Sequence, residues 1–268
     1  MEAFYEPAGE RFASTAYTRG PWDPRHQHAG PPAALLARAA VRASGIADGQ
    51  TVRCSFDVLR PVPIAALSVE TRVLRPGRRV EQLEATLHDE AGEALMRLTC
   101  WRMRAQALDL PGGPAGPDPP PAPPESGVVP RMPFWRDEIA YHRALDWRAV
   151  AGSFDEPGPA TAWSRMRVAL VAGERPTPLE RLLVMADAAS GLSATLPWDR
   201  WLFVNVDLGV HLEREPEGEW LAMDARTRFG PAGAALCTSV LSDARGRVGV
   251  TTQSLLIDRR TPAPSTPA

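Results

Sequence analysis

The chain has 268 residues, of which 44% are hydrophobic and 23% charged, a balance typical of a globular protein with ample apolar material for a core. The formal net charge is -2, so the overall field favours neither nucleic acid nor an anionic membrane surface. All 30 basic residues are arginine, which excludes a lysine Schiff base, a P-loop lysine and a lysine general base. No apolar run approaches the roughly 18 residues of a membrane span, and the N-terminus lacks the layout of a signal peptide, so neither is expected.

The first part of the chain predicts one helix followed by four strands. The helix spans about 31–43, where two prolines stand in the first turn and apolar side chains repeat at helical spacing. The four β-like runs that follow are 52–60, 67–74, 80–87 and 94–103. Together they define an N-terminal repeat at 1–104.

A segment rich in proline and glycine, 105–130, comes next and predicts a semi-rigid surface linker, because proline removes backbone donors and fixes φ. The C-terminal repeat, 131–260, has a run at 162–170 and a helix at about 178–194. Its four later runs are 202–212, 220–228, 234–241 and 248–257. Residues 261–268 predict a disordered tail.

The two repeats also match at a fixed offset of about 154 positions. That offset relates Leu241 to Leu87 and Gly246 to Gly92. A register kept across four strands indicates an internal duplication. Two such units side by side can make one continuous sheet with a helix packed on each half.

Three segments resemble the acyl-CoA thioesterase II family, whose members have a double hotdog fold. The segment GPWDPRHQHAGPPAALLARA is similar to the loop and first turns of a hotdog helix. PLERLLVMADAASGLSATLP is similar to the second hotdog helix, and VGVTTQSLLIDRR to the final strand. The resemblance covers most of 4–258 outside the linker. It implies an α+β fold of two tandem helix-plus-antiparallel-sheet repeats that form one continuous sheet with two central helices.

The resemblance places a catalytic Asp at Asp187 and a catalytic Gln at Gln253. The third position of the network, usually Thr or Ser, falls on Asn205, which departs from the family pattern. An amide can donate and accept hydrogen bonds but cannot be a nucleophile, so water must be the attacking group. We expect Asp187 to be the general base, with a pKa raised by partial burial, and Gln253 to orient the water.

Each of these residues has a structural alternative. Asp187 could only bond a serine or backbone groups, and Gln253 could pair with a neighbouring strand. The alternation of apolar residues over 202–212 predicts that Asn205 points away from the core. Either a second buried layer covers that face, for example a subunit contact, or the family residue does not fall on Asn205.

Substrate contacts are expected from His28, Gly30, Ser190 and Gly191. A thioester can approach the bare backbone of Gly30, whose N–H at a helix start suits an oxyanion, although a plain helix cap is the alternative. His28 adjoins Gly30, and the other two follow Asp187 by one turn. No metal and no cofactor are expected, because the histidines lack further ligands at zinc spacing.

The resemblance implies hydrolysis of an acyl-CoA to free fatty acid and CoA, by a homodimer or larger homo-oligomer. Three scattered cysteines, predicted to be buried and reduced, suggest the cytoplasm. A non-catalytic double hotdog protein that binds an acyl thioester or a protein partner is the alternative. A hotdog hydratase or dehydratase ranks last, because it needs a His–Asp pair and 178–196 contains no histidine.

Overall fold

The computed structural model describes residues 2–109, 111, 118–132, 134–135 and 138–260. The helices are α1 (Gly30–Arg42), α2 (Pro178–Ala186) and α3 (Ala189–Leu192). The strands of the N-terminal repeat are β1 (Ala3–Ala8), β2 (Arg11–Ser14), β3 (Gly49–Val58), β4 (Ala66–Arg75), β5 (Val80–His88) and β6 (Ala94–Arg104). Those of the C-terminal repeat are β7 (Leu145–Ala151), β8 (Ala160–Met166), β9 (Ala169–Val171), β10 (Trp201–Asn205), β11 (Asp207–Leu212), β12 (Leu221–Phe229), β13 (Ala234–Asp243) and β14 (Gly246–Arg259).

The strand order of the sheet has a two-fold pattern. It runs β7-β8-β12-β13-β14-β11 and then β3-β6-β5-β4-β2-β1, with β9 beyond β1 and β10 beside β14. Reading outwards from the central antiparallel pair of β11 and β3, each side meets corresponding strands in the same order. Such an order is what two copies of one unit produce when they join through equivalent strands.

The sheet curls until its two edges come together. Only two residues separate β8 from β9 along the chain, yet β8 lies near one end of the strand order and β9 lies at the other. There β9 pairs in parallel with β1, matching Ala3 with Ala169 and Tyr5 with Val171. The curled sheet therefore has an inner face that α1 and α2 can fill.

Helix α1 is built from small and apolar residues that are almost all buried. Pro31 and Pro32 stand at its start, where a missing N–H costs nothing. Leu35 and Leu36 are fully buried in the core, so truncation of either to Ala should cost about 2–5 kcal/mol of folding free energy. The sequence-based bounds of this helix are confirmed to within one residue.

The second predicted helix, 178–194, is interrupted. Helix α2 starts with a capping box, in which Thr177 accepts from the Glu180 N–H and the Glu180 side chain accepts from the Thr177 N–H. It ends at Ala186 with Asp187 as its C-cap, and α3 follows only at Ala189. The apolar residues keep helical spacing through 178–194, although the helix itself is broken between Ala186 and Ala189. Asp187 lies at that break.

The predicted strands are confirmed with shifts of a few residues, and three further strands occur, β1, β2 and β7. Two predicted runs are divided: 162–170 becomes β8 and β9, and 202–212 becomes β10 and β11 on either side of Val206. Val206 is 51% exposed, whereas the alternation pattern had assigned it to the core. The pattern fails here because one extra residue between paired strands reverses which side chains face inward.

The later part of the linker, 118–130, packs on the C-terminal repeat. Ala122 accepts a hydrogen bond from the Trp163 indole at 2.7 Å, and Val128 bridges to Ala149 of β7. Linker residues 110 and 112–117 lie outside the described residues, and so does the tail 261–268, which was the only segment expected to be disordered. All three cysteines are free and buried, as predicted.

Candidate active site

Asp187 is a buried carboxylate at the junction of the two repeats. It is 5% exposed and follows the last turn of α2. A carboxylate at this end of a helix meets the negative end of the helix dipole, which is unfavourable. The site must therefore stabilise the charge from elsewhere.

Three side chains from three different segments donate to this carboxylate. Asn205 at the end of β10 donates from Nδ2 to Oδ1 at 2.8 Å. Gln253 in β14 donates from Nε2 to the same oxygen at 3.0 Å. His28, from the loop before α1, places Nδ1 3.0 Å from Oδ2. The structure thus brings together residues that are far apart in sequence and come from both repeats.

Gln253 is fully buried and all its N–H capacity is directed at one residue. Besides the Asp187 carboxylate, its Nε2 donates to the Asp187 backbone carbonyl at 3.1 Å. Its Oε1 accepts from the Ser190 N–H at 3.1 Å. The amide therefore bridges the break between α2 and α3, and it holds both the backbone and the side chain of Asp187.

Asn205 reaches Asp187 because the strand ends beside it. Its Nδ2 also donates to the Asp207 carbonyl at 3.1 Å, across the irregular residue Val206. The expectation that Asn205 points away from the core is wrong. Asn205 is half-buried, and the side chain of Phe203, two residues earlier on the same strand, is buried.

The N-terminus of α1 faces the carboxylate from the other repeat. The N-cap of this helix, Ala29, has no capping side chain, and its backbone N–H lowers the pKa of Asp187. Asp187 thus supplies the anion that the first turn of α1 lacks, and the positive end of the helix dipole favours it.

Gly30 allows the start of α1 to lie close to the backbone of α2. A Cβ at this position would overlap the backbone carbonyl of Val184 in α2, so no larger residue fits without moving the helix. The Gly30 N–H lies 3.3 Å from His28 Nδ1. One nitrogen cannot both donate to Asp187 and accept from Gly30, and the shorter, charge-assisted contact assigns the proton to Nδ1.

Tyr141 fixes the plane of the His28 ring, a role that the sequence did not indicate. The two rings stack with centroids 3.7 Å apart and an interplanar angle of 1°. The Tyr141 hydroxyl donates to the Val184 carbonyl at 2.8 Å. Burial and the charge of Asp187 raise the pKa of Tyr141 well above its ordinary value. Tyr141 lies in the part of the chain for which no element was predicted, so no spacing signal could have identified it.

The charge state of Asp187 differs from the expectation. Burial alone would raise the pKa of Asp187, but the hydrogen bonds and charge of His28, with the donors of Asn205 and Ala29, lower it below its ordinary value of 3.8. The prediction of a raised pKa is therefore wrong, because partners outweigh desolvation. The carboxylate is ionised at neutral pH.

A cavity of about 430 Å³ opens beside this network. Five of the residues proposed from the sequence line it, namely His28, Asp187, Ser190, Gly191 and Asn205. Gln253 and Gly30 stand behind this surface, in contact with residues that line it. The rest of the lining is predominantly apolar and aromatic, so the cavity suits an apolar group attached to a reacting carbonyl.

Among the residues that the structure describes, no three His, Cys, Asp or Glu side chains lie close enough together to bind one metal ion. His26, two residues before His28, has its Nδ1 3.7 Å from Asp23 Oδ2. Among the described residues, no helix is both long enough and apolar enough to cross a membrane.

Two family models match most of the chain. Residues 18–103 match the acyl-CoA thioesterase N-terminal domain, and residues 114–257 match the acyl-CoA thioesterase C-terminal domain. No curated protein sequence matches the chain.

Solved structures with the same fold come from several bacteria. A thioesterase II candidate from Thermobifida fusca has a TM-score of 0.73 at 22% identity, covering 96% of this chain and 98% of that one. A hotdog protein of unknown function from Alicyclobacillus acidocaldarius has a TM-score of 0.71 at 17% identity, covering 97% and 96%. Acyl-CoA thioesterase II TesB2 from Mycobacterium marinum has a TM-score of 0.64 at 19% identity, covering 87% and 90%. At these identities the likeness shows the hotdog fold alone.

Proposed function

The chain belongs to the acyl-CoA thioesterase family, and from that premise we propose that it hydrolyses an acyl-CoA thioester to the free acid and CoA. We further propose a double hotdog in which α1 and α2 are the two central helices. The observation that carries the activity is the buried Asp187 carboxylate, which donors from both repeats hold at the edge of an apolar cavity.

The reaction needs a deprotonated water and a stabilised oxyanion. The water oxygen bonds to the thioester carbonyl carbon while its proton passes to the Asp187–His28 pair. The tetrahedral intermediate then breaks its carbon–sulfur bond, and the departing CoA sulfur takes up the proton that the Asp187–His28 pair had accepted. A thioester makes this route feasible without a covalent intermediate, because its carbonyl is electrophilic and a thiolate leaves readily.

The hydrogen-bond capacity of Asp187 suggests how the proton moves. A carboxylate has about four lone-pair positions, and four donors approach this one: Asn205, Gln253, His28 and the Ala29 N–H. His28 directs its Nδ1 proton at Asp187, which leaves Nε2 of the same ring to accept a proton, and the ring lines the cavity. We therefore assign Asp187 the charge that draws the proton and His28 the contact with the water.

The other predicted residues then have supporting roles. Gln253 has no N–H left for a water, so we propose that it positions Asp187. Gly30 lies behind the cavity surface with its N–H 3.3 Å from His28 Nδ1, so we propose that it positions His28 and the start of α1 beside Asp187.

The lowered pKa of Asp187 gives the pH dependence a direction. Its ionised form persists below the ordinary value of 3.8, so the loss of kcat/KM that follows Asp187 protonation should occur only below that pH. The same group stabilises the fold above its unfolded pKa, and this contribution is lost as the pH falls through the lower folded value. The measurement is the pH profile of thiol release. A loss of activity that results from Asp187 protonation and begins well above pH 3.8 would contradict the assignment.

Replacement of the carboxylate tests the function directly. Asp187→Asn keeps the size of the side chain but removes its charge, and kcat for thiol release from acyl-CoA should fall about 10²- to 10⁴-fold. Asp224→Asn, on the exposed side of β12, is the matched control and should keep full activity. Thermal melting shows whether each variant is folded. Hydrolysis by a folded Asp187→Asn variant at the control rate would refute the proposal.

One observation favours a second candidate, the hydration of an enoyl-CoA. The sequence disfavours a hydratase because the second helix contains no histidine. In the structure, however, His28 of the other repeat contacts Asp187. Enoyl-CoA as a substrate distinguishes the two. Loss of the enoyl absorbance without release of thiol would favour hydration, and binding without either reaction would favour the non-catalytic module.

Assembly and location are part of the proposal as well. We propose a homodimer or larger homo-oligomer, supported by apolar side chains such as Leu236 and Leu256 that stay exposed on β13 and β14. Light scattering after gel filtration tests this. A reducing compartment, the cytoplasm, fits Cys54 and Cys100, which face each other across β3 and β6 without a bridge.

A further inference from the structure

The active-site cavity collects an unusual share of the aromatic residues of the chain. The sequence contains 8 Trp, 3 Tyr and 7 Phe, and eight of these residues line the one cavity beside Asp187. They are Trp22, Phe134, Trp135, Tyr141, Trp147, Phe154, Trp198 and Phe203. The sequence alone did not indicate which of the tryptophans would meet a substrate.

Four of these rings form what we call the aromatic wall: Trp22, Trp198, Phe134 and Phe203. Trp198 is at its centre, stacked on Phe134 with centroids 3.9 Å apart and on Trp22 with centroids 4.9 Å apart. Phe203 meets Trp198 edge-on at 4.5 Å and Trp22 edge-on at 4.8 Å. Rings locked against each other in this way present a stiff surface of faces and edges.

Arg260 holds the two tryptophans in place. It donates to the backbone carbonyl of Trp198 at 2.9 Å and to that of Trp22 at 3.4 Å. Its guanidinium also lies over the Trp22 ring, 5.6 Å from the centroid. The wall is thus supported from behind, while Trp22, Trp198 and Phe134 remain only half-buried.

Charge indicates which part of the substrate lies on this wall. Beyond the wall is a second space of about 730 Å³, lined by Asp155, Glu156 and Asp199 with Arg260 as its one cation among the described residues. Three carboxylates against one guanidinium disfavour the phosphates of CoA. The acyl group, which carries no charge, is therefore the part that fits here.

The charge balance differs in another space that adjoins the active-site cavity. A third space of about 640 Å³ shares Trp135 and Trp147 with the active-site cavity. It is lined by three arginines, Arg143, Arg148 and Arg167, and by two acids, Glu138 and Asp146. The phosphates of CoA suit this space better than the acidic one.

We propose that the preferred substrate carries an aryl or arylalkanoyl acyl group, which packs against the aromatic wall. This inference rests on the proposed thioester hydrolysis and narrows its substrate class. Ring–ring contacts in offset or edge-to-face geometry add to the effect of apolar burial, whereas a straight alkyl chain gains burial only. Flexible alkyl chains also lose more rotamer freedom against a stiff surface.

The test compares phenylacetyl-CoA with octanoyl-CoA, two esters with the same number of acyl carbons. We expect kcat/KM for the aryl ester to exceed that for the alkyl ester by about tenfold. Trp198→Leu should remove about tenfold from the aryl ester and change the alkyl ester much less. Trp198→Phe should keep most of the preference, because it retains a ring. Trp101→Leu, in β6 and outside all three spaces, is the matched control and should change neither ester.

Three results would overturn the inference. The first is equal kcat/KM for the two esters in the wild-type protein. The second is an equal loss for both esters in a folded Trp198→Leu variant. The third is weaker inhibition by free CoA in that variant, which would place CoA rather than the acyl group on the wall.

Binding to Asp187→Asn separates this inference from the proposed function. If no ester is hydrolysed by the wild-type protein, calorimetry with the intact esters still measures the preference. Tighter binding of phenylacetyl-CoA would then support the aromatic wall as an aryl site while the hydrolase proposal fails. Hydrolysis without any aryl preference would support the hydrolase and refute the aryl site.

Discussion

The two repeats share an order of strands but not a chemistry. Helix α2 breaks at Asp187, whereas α1 continues unbroken through the corresponding place. When Leu35 in α1 is aligned with Leu182 in α2, Ala40 stands at the position of Asp187. Ala40 is fully buried. At the strand offset, Gln253 corresponds to Thr99 and Asn205 to Thr51.

This difference shows what the duplication permits. Both repeats contribute strands to one sheet and a helix to one core, so both must keep apolar patterns. The C-terminal repeat supplies the Asp187 carboxylate, while the N-terminal repeat provides a helix N-terminus, His28 and Gly30 to stabilise it. A single charged position with donors from both repeats avoids the cost of a second uncompensated charge in the core.

The largest effect should come from making the repeats alike. Ala40→Asp would bury a carboxylate in α1 without the donors that surround Asp187, and the free energy of unfolding should fall by about 3–5 kcal/mol. Ala39→Asp, one position earlier and only half-buried, is the control and should cost much less. Chemical denaturation measures both. Equal stability of Ala40→Asp and the wild type would mean that a donor set also exists in the first repeat.

A smaller effect is expected where the repeats meet. Gly30→Ala would force a Cβ against the Val184 carbonyl and separate α1 from α2, lowering the free energy of unfolding by about 1–3 kcal/mol. Misplacement of His28 and Ala29 should reduce kcat by up to about 10²-fold. Gly191→Ala, whose Cβ would make only an ordinary contact with Trp198, controls for stability. An active, fully stable Gly30→Ala variant would show that the close approach of the helices is dispensable.

The smallest effect concerns Asn205, for which the resemblance implies a Thr or Ser. Asn205→Thr restores a hydroxyl, which can still donate to Asp187, so kcat/KM should change by less than about tenfold. Asn205→Leu removes the donor altogether and should lower kcat/KM further, by about 10- to 100-fold. Steady-state kinetics on both variants ranks them. If Leu were tolerated as well as Thr, the hydrogen bond from Asn205 to Asp187 would have no role in the reaction.

Sequence reasoning was most successful where the signal was local. Periodicity and proline placement predicted α1 to within one residue, and alternation predicted the main strands. It was unsuccessful at the breaks beside Asp187 and Val206, where one residue changes the direction of the chain without changing its apolar pattern. Those two breaks place Asp187 and Asn205 within hydrogen-bond distance of each other.

The amino-acid sequence by itself determined the repeated order of helix and strands and the apolar surfaces that each must bury, because these depend on neighbours a few positions apart. The tertiary structure decided the ionisation of Asp187 and its contact with His28. It also decided the stacking of Tyr141 on His28 and which aromatic residues line the cavity. Each of these depends on groups brought close by the folding of both repeats. Coulomb energy, hydrogen-bond geometry and ring packing vary with distance in space, which the distance along the chain does not encode.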